Sequence, residues 1–181
     1  PLLFVVTVMF YAMGWQRGAR VWCAGVATML GCLILAKLLG LYWGELFGFT
    51  GRPFSISGHV VASTTVYGSL LAIALHSGQR EWQWGRALLP PLMIAGIIGY
   101  TRLELHAHTQ TEILCGTLMG TAGALAVAKA LVPVPIMAMR YVLAVPVCVA
   151  LIFHGYVLPA EPMLQSLFHN SYYWASHTLA W

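Results

Sequence analysis

The sequence predicts an all-α, polytopic membrane bundle of about six transmembrane helices, folded as one domain over residues 1–181. Three observations predict it. Of 181 residues, 60% are hydrophobic and only 8% are charged, against about 25% charged in a soluble domain. The mean hydropathy is +0.79. Apolar stretches recur along the chain, and roughly 20 apolar residues cross a bilayer. The same composition excludes a soluble enzyme, a nucleic-acid-binding protein and a disordered chain.

Residues 1–15 read as a first span, shortened at its start. Residues 16–20 are a polar turn carrying Arg17 and Arg20. Residues 21–41 form a second span with Lys37 near its far end. Residues 42–56 are a loop or interfacial segment, because Gly44, Gly48, Gly51 and Pro53 fall there. Residues 58–75 form a third span, and 76–86 a polar turn. Residues 87–100 are a short fourth span with Pro90 and Pro91 near its start. Residues 101–110 are polar, 111–131 a fifth span, 132–135 a break and 136–158 a sixth span. Residues 159–181 hold Phe168, Tyr172, Tyr173, Trp174 and Trp181 and read as an interfacial tail, since aromatic residues favour the headgroup level. Cys23, Cys32, Cys115 and Cys148 lie in apolar stretches without a Cys-x-x-Cys pair, so they are expected to pack as small buried hydrophobes rather than to bind metal or form disulfides.

Charge orients the bundle. Arg17, Arg20, Arg80, Arg86, Lys129 and Arg140 flank the turns of one side, and Lys37, Arg52 and Arg102 lie on the other. The basic bias marks the first side as cytoplasmic. The second side then faces outward, to the periplasm or a lumen, and the chain is expected to be an integral membrane protein of the bacterial inner membrane with a periplasm-facing site.

That second side gathers the polar residues that need an explanation. Arg52-Pro53, Ser57-Gly58-His59, and Arg102 with His108 and Glu112 all fall at span ends. Ionisable residues at membrane depth are costly and point to function. Two helix starts, at residues 57–59 and 108–112, would present free N–H groups and positive dipole ends, which favour an anion. Arg52 and Arg102 add planar forks suited to phosphate. The histidines can supply a nucleophile and an acid, His108 attacking phosphorus and His59 protonating the leaving oxygen. Glu112, four residues after His108, would lie beside its imidazole on a helix. The chain has no Asp. No metal or other cofactor is expected, and charge neutralisation falls to arginines and backbone dipoles.

These residues resemble the motifs of the type 2 phosphatidic acid phosphatase superfamily, membrane lipid phosphatases related to vanadium haloperoxidases. The family's third motif is Ser-Arg, five residues, His, three residues, Asp, and here it reads Thr101-Arg102, His108 and Glu112 at that spacing. The second, Pro-Ser-Gly-His, reads Ile56-Ser57-Gly58-His59. The first, Lys, six residues, Arg-Pro, survives as Arg52-Pro53. The resemblance spans about residues 37–120. It implies a six-helix fold, metal-independent hydrolysis and a phosphohistidine intermediate. By position, His108 is the implied nucleophile, His59 the acid and Glu112 the residue orienting His108. Arg52, Arg102, Ser57 and the Gly58 amide are implied to hold phosphate. Glu112 stands for Asp, Thr101 for Ser and Ile56 for Pro. Glu45 stands where the first motif has Lys. Lys37 lies roughly 12 Å earlier on a continuous helix, so its use at the phosphate requires a chain break after Gly40 or Gly44.

Simpler readings stand beside these. Ser57-Gly58 alone can merely cap a helix. His106 and His108 lack a set of further zinc ligands. His76, His154, His169 and His177 read as packed or interfacial, and Glu104 as solvated. Gly116 and Gly120 read as close packing inside the bundle rather than a dimer face. The expected function is hydrolysis of a phosphate monoester or pyrophosphate on a lipid, phospholipid or polyprenyl, at the outer face. The runners-up are a lipid phosphotransferase on the same scaffold and a non-catalytic lipid-binding relative. A transporter is disfavoured, because its polar residues would run through the bilayer rather than cluster at one face.

Overall fold

The computed structural model describes residues 2–46, 54–76 and 82–152 together with Ser166. Arg52, Pro53 and nearly all of the tail lie outside the described residues, as do His154, His169 and His177. Among the described residues the chain forms six helices: α1 (Leu2–Ala12), α2 (Gln16–Leu46), α3 (Gly58–Leu75), α4 (Trp84–Glu104), α5 (Gln110–Leu131) and α6 (Ile136–Ile152). Among the described residues three segments are long and apolar enough to cross a membrane: Gln16–Trp43, Gly58–Leu75 and Gln110–Leu131. The chain is an all-α integral membrane protein.

Several boundaries differ from the sequence reading, each for a local reason. The turn expected at residues 16–20 is the first turn of α2. The real turn comes earlier, at Gly14, whose φ is +76°. There the Trp15 N–H donates to the Phe10 carbonyl and the Gly14 N–H to the Tyr11 carbonyl, the paired bonds of a glycine C-cap. Nothing interrupts α2 after Gly40 or Gly44. It runs on to Leu46, so the break that Lys37 was expected to need is absent. Gly40 serves instead for close approach: a methyl there would overlap the Phe54 carbonyl oxygen, so glycine lets residues 54–57 lie on α2. Helix α4 is longer than expected at both ends and holds Pro90 and Pro91 in its interior.

The central helix is α5, which packs on α2, α3 and α4. Its small residues make this possible. A Cβ at Gly116 would meet the Ser57 carbonyl oxygen at 3.2 Å, and one at Gly120 would meet Thr64 Cβ at 2.8 Å. The Gly-x-x-x-Gly is thus packing within the bundle. Helix α3 widens to a π-turn at Thr64–Gly68, and Gly68 lies against Pro91 of α4. At one end, Lys129 at the foot of α5 sits 4.8 Å over the Trp84 ring at the start of α4. His76 is buried there, stacked on Trp82. Helix α1 packs on α2 around the fully buried Phe10 and Trp22, whose indole N–H donates to the Leu3 carbonyl. The free cysteines correct the expectation of burial: Cys32, Cys115 and Cys148 are exposed and Cys23 is half-buried. Membrane helices carry apolar residues outward as well as inward, so an apolar neighbourhood in sequence does not imply the core.

The two α2 glycines separate packing from propensity. Gly31 has open space around it, so Gly31→Ala should stabilise the protein by about 0.5–1 kcal/mol. Gly40→Ala should instead cost on the order of 1–3 kcal/mol, because a backbone atom must move. Thermal unfolding in detergent checks both, and equal shifts for the two would contradict the packing described.

Candidate active site

At the end of the bundle opposite Lys129, four elements converge: the C-terminal part of α2, the segment 54–57 with the start of α3, the last turn of α4, and the start of α5. The start of α5 is built by a capping box. Thr109 is the N-cap, its hydroxyl accepting from the Glu112 N–H, while Glu112 reaches back to the Thr109 N–H. Thr-x-x-Glu is a readable signature of this arrangement, and it is the signal the sequence reading missed. It also corrects the expected origin of the His108–Glu112 contact. His108 precedes the helix, so the pair does not meet by helical spacing. It meets because the capping carboxylate turns back toward the N-terminus of its own helix.

Glu112 is 2% exposed. Its Oε2 accepts from the Thr109 N–H at 2.9 Å and lies 3.1 Å from His108 Nδ1. Its Oε1 accepts from the Ser55 N–H at 2.8 Å. The Ser57 N–H donates to the Glu112 carbonyl oxygen at 3.3 Å. One residue therefore ties the third motif to the segment carrying the second. An ionised carboxylate only accepts hydrogen bonds, so His108 Nδ1 is the protonated ring nitrogen and the lone pair of the neutral imidazole lies on Nε2.

Ser57 occupies the N-cap position of α3, yet its side chain makes no capping bond. The residue is fully buried and its Oγ has no hydrogen-bond partner. The simple capping reading of Ser57 therefore fails. Gly58 and His59 are the first two residues of α3, with His59 exposed. Arg102 stands in the last turn of α4, half-buried, and its Nε is buried without a partner. Lys37 is buried and its Nζ donates to Ser55 Oγ at 2.9 Å. Its stem lies along the start of α3, where a Cβ on Gly58 would stand 3.3 Å from Lys37 Cε. The structure thus brings Lys37, Ser57, Gly58, His59, Arg102, His108 and Glu112 to one end of the bundle. Arg52 and the Glu45 side chain lie outside the described residues. Ser55 is the other residue the sequence reading missed, and no motif signalled it.

His106 lies in the turn after α4 with φ +50° and its side chain exposed. The His106 N–H donates to the Leu103 carbonyl and the Ala107 N–H to the Arg102 carbonyl, which closes the helix and sets up the turn to His108. Glu104 is exposed, as expected. Among the described residues no group of three His, Cys, Asp or Glu side chains is placed to hold a metal ion.

The length of Glu112 matters to this arrangement. Asp is one methylene shorter and cannot reach the Thr109 and Ser55 N–H groups together. Glu112→Asp should therefore lower stability by about 1–2 kcal/mol, the cost of a lost cap and a lost charge-assisted bond. Thermal unfolding in detergent measures this, and a variant as stable as the parent would contradict the geometry.

Comparison with known proteins gives the family. The chain matches the model of the PAP2 superfamily over residues 40–134, more than half its length. It is 28% identical to a Klebsiella pneumoniae protein described as an uncharacterized 22.5 kDa protein in the cps region, over 49% of this chain and 51% of that protein. The chain thus spans about half the length of this curated relative. No solved structure matches it. Two motifs of the superfamily meet at one end of a helical bundle, within a matched region that covers both, and the chain belongs to the PAP2 superfamily.

Proposed function

We propose that this chain is a membrane phosphatase that hydrolyses a phosphate monoester or pyrophosphate on a lipid, through a phosphohistidine on His108. The observation that carries this reading is the pair of buried, unpartnered polar atoms, Ser57 Oγ and Arg102 Nε, at the same end as the His108–Glu112 pair. Buried polar atoms without partners cost free energy. Their chemistry suits an anion: an arginine, a buried lysine, a hydroxyl and the amides at the start of α3 lie at one end of the bundle, and Glu112 is engaged by its own donors.

In this reading Arg102, Ser57, the Gly58 amide and Lys37 hold the phosphate, with Arg52 joining them by its motif position. His108 Nε2 attacks phosphorus. The bond from phosphorus to the lipid oxygen breaks, and His59, exposed at the mouth, gives that oxygen its proton. His59 then takes a proton from water, which attacks the phosphohistidine and releases inorganic phosphate. Glu112 holds the His108 tautomer and balances the positive charge that develops on the ring. A lipid substrate is supported by the exposed aromatic residues Tyr42, Trp43, Phe54 and Tyr100 around this end, a composition typical of the headgroup level. The basic residues at the opposite end support a cytoplasmic placement for that end, and hence a periplasm-facing site in a bacterial inner membrane.

Phosphate release from a panel of phosphatidic acid, phosphatidylglycerophosphate, polyprenyl pyrophosphate and lipid A, with and without an added acceptor, tests this function. The wild type should release phosphate in the presence of chelators. His108→Ala should abolish turnover and the acid-labile phosphoenzyme, whereas His59→Ala should still form phosphoenzyme from a substrate with a good leaving group. Near wild-type turnover in His108→Ala would refute the mechanism, and transfer only to the acceptor would make the enzyme a phosphotransferase. For sidedness, in a background lacking the native cysteines, Glu104→Cys should react with an impermeant reagent on intact cells and Gln16→Cys should be protected. The reverse pattern would put the site in the cytoplasm.

A further inference from the structure

Ser55 belongs to none of the three motifs, yet it contacts two of the groups on which the site depends. It lies in the segment that Gly40 allows to rest on α2. Its N–H holds Glu112 Oε1 at 2.8 Å, and its hydroxyl accepts from Lys37 Nζ at 2.9 Å. Lys37 is 7% exposed. Its Nζ would be 4.0 Å from a Cβ on Gly58, beside the positive end of α3. An ammonium in that position is disfavoured both by burial and by the helix dipole, so a fixed acceptor such as the Ser55 hydroxyl contributes to holding it there.

We infer that Ser55 is a positioning residue for phosphate: its hydroxyl fixes the Lys37 ammonium at the start of α3, which lets a lysine far from Arg52 in sequence serve where Glu45 occupies the motif position. This rests on the phosphatase reading. Its backbone N–H also holds Glu112, so one residue sets the phosphate cation and the carboxylate behind His108 in a common frame. Substituting the side chain separates these roles, because Ser55→Ala keeps the N–H to Glu112 and removes the hydroxyl that accepts from Lys37.

The test measures the affinity for inorganic phosphate, from its thermal stabilisation of the detergent-solubilised full chain, alongside KM and kcat on the best lipid of the panel. Ser55→Ala should weaken phosphate binding and raise KM about tenfold, the size of one charge-assisted hydrogen bond, with kcat little changed. Ser55→Thr, which keeps the hydroxyl, should recover most of the affinity. Lys37→Met should show the same loss, and the double variant should be no worse than the poorer single one. Should Ser55→Ala fail to fold, Ser55→Cys, a weak acceptor of similar size, is expected to show the same loss. Unchanged phosphate affinity in the serine variants, losses that multiply in the double variant, or a fall in kcat that threonine does not rescue would each overturn the proposal. Phosphate release is the separate arm: a wild type that hydrolyses no lipid yet loses phosphate affinity on Ser55→Ala would sink the phosphatase reading and keep this one.

Discussion

The buried carboxylate of Glu112 is the interaction on which the rest of the site depends. It caps α5 through the Thr109 N–H, fixes His108 through Nδ1 and anchors the incoming segment through the Ser55 N–H. A carboxylate buried this deeply is tolerable only because backbone and imidazole donors surround it. The same contacts that make it tolerable set the geometry of the site. Without them the start of α5 would lose its cap, His108 its tautomer and residues 54–57 their docking point. The longer side chain of Glu, compared with the Asp of the family motif, fits this role, because it must reach back over a full turn to the N-cap as well as sideways to a neighbouring segment.

Helix packing brings this carboxylate to its partners. Gly116 and Gly120 let α3 lie close to α5, and Gly40 lets the segment before α3 lie on α2. Close backbone approach of this kind is how helices associate where lipid offers no hydrophobic driving force between them. The result is an end of the bundle that holds Lys37, Arg102 and the buried, unpartnered Ser57 Oγ and Arg102 Nε, with exposed aromatic residues near it. The proposed lipid phosphate substrate draws on both features, its headgroup on the first and its apolar chain on the second.

Much of this was legible in the sequence. Composition pointed to the all-helical membrane fold, because apolar stretches recur at about the length of a membrane-spanning helix. The spacing of Arg102, His108 and Glu112, with Ser57-Gly58-His59, marked the residues that the fold brings to one end. What was not legible has physical causes. Helix ends were misplaced where glycine was read as a breaker: Gly40 is a packing glycine inside α2, whereas Gly14, which does end a helix, was passed over. Glycine in a chain of apolar residues signals either role, and only the neighbouring backbone decides. Cysteine burial was misjudged because hydropathy does not distinguish the lipid face from the core. The Lys37–Ser55 contact could not be foreseen, since it joins residues whose meeting depends on how a returning segment lies on α2.

Glu112 holds His108 by Nδ1, and in the proposed phosphatase Nε2 is the atom that attacks phosphorus. This role is tested most directly by trapping the phosphoenzyme in a rapid quench with labelled lipid phosphate and locating the phosphoryl group by nitrogen-15 and phosphorus-31 spectroscopy of the isolated peptide. The account predicts a phosphoryl group on Nε2 of His108. A phosphoryl group on Nδ1, on His59, or on no residue during active turnover would contradict it.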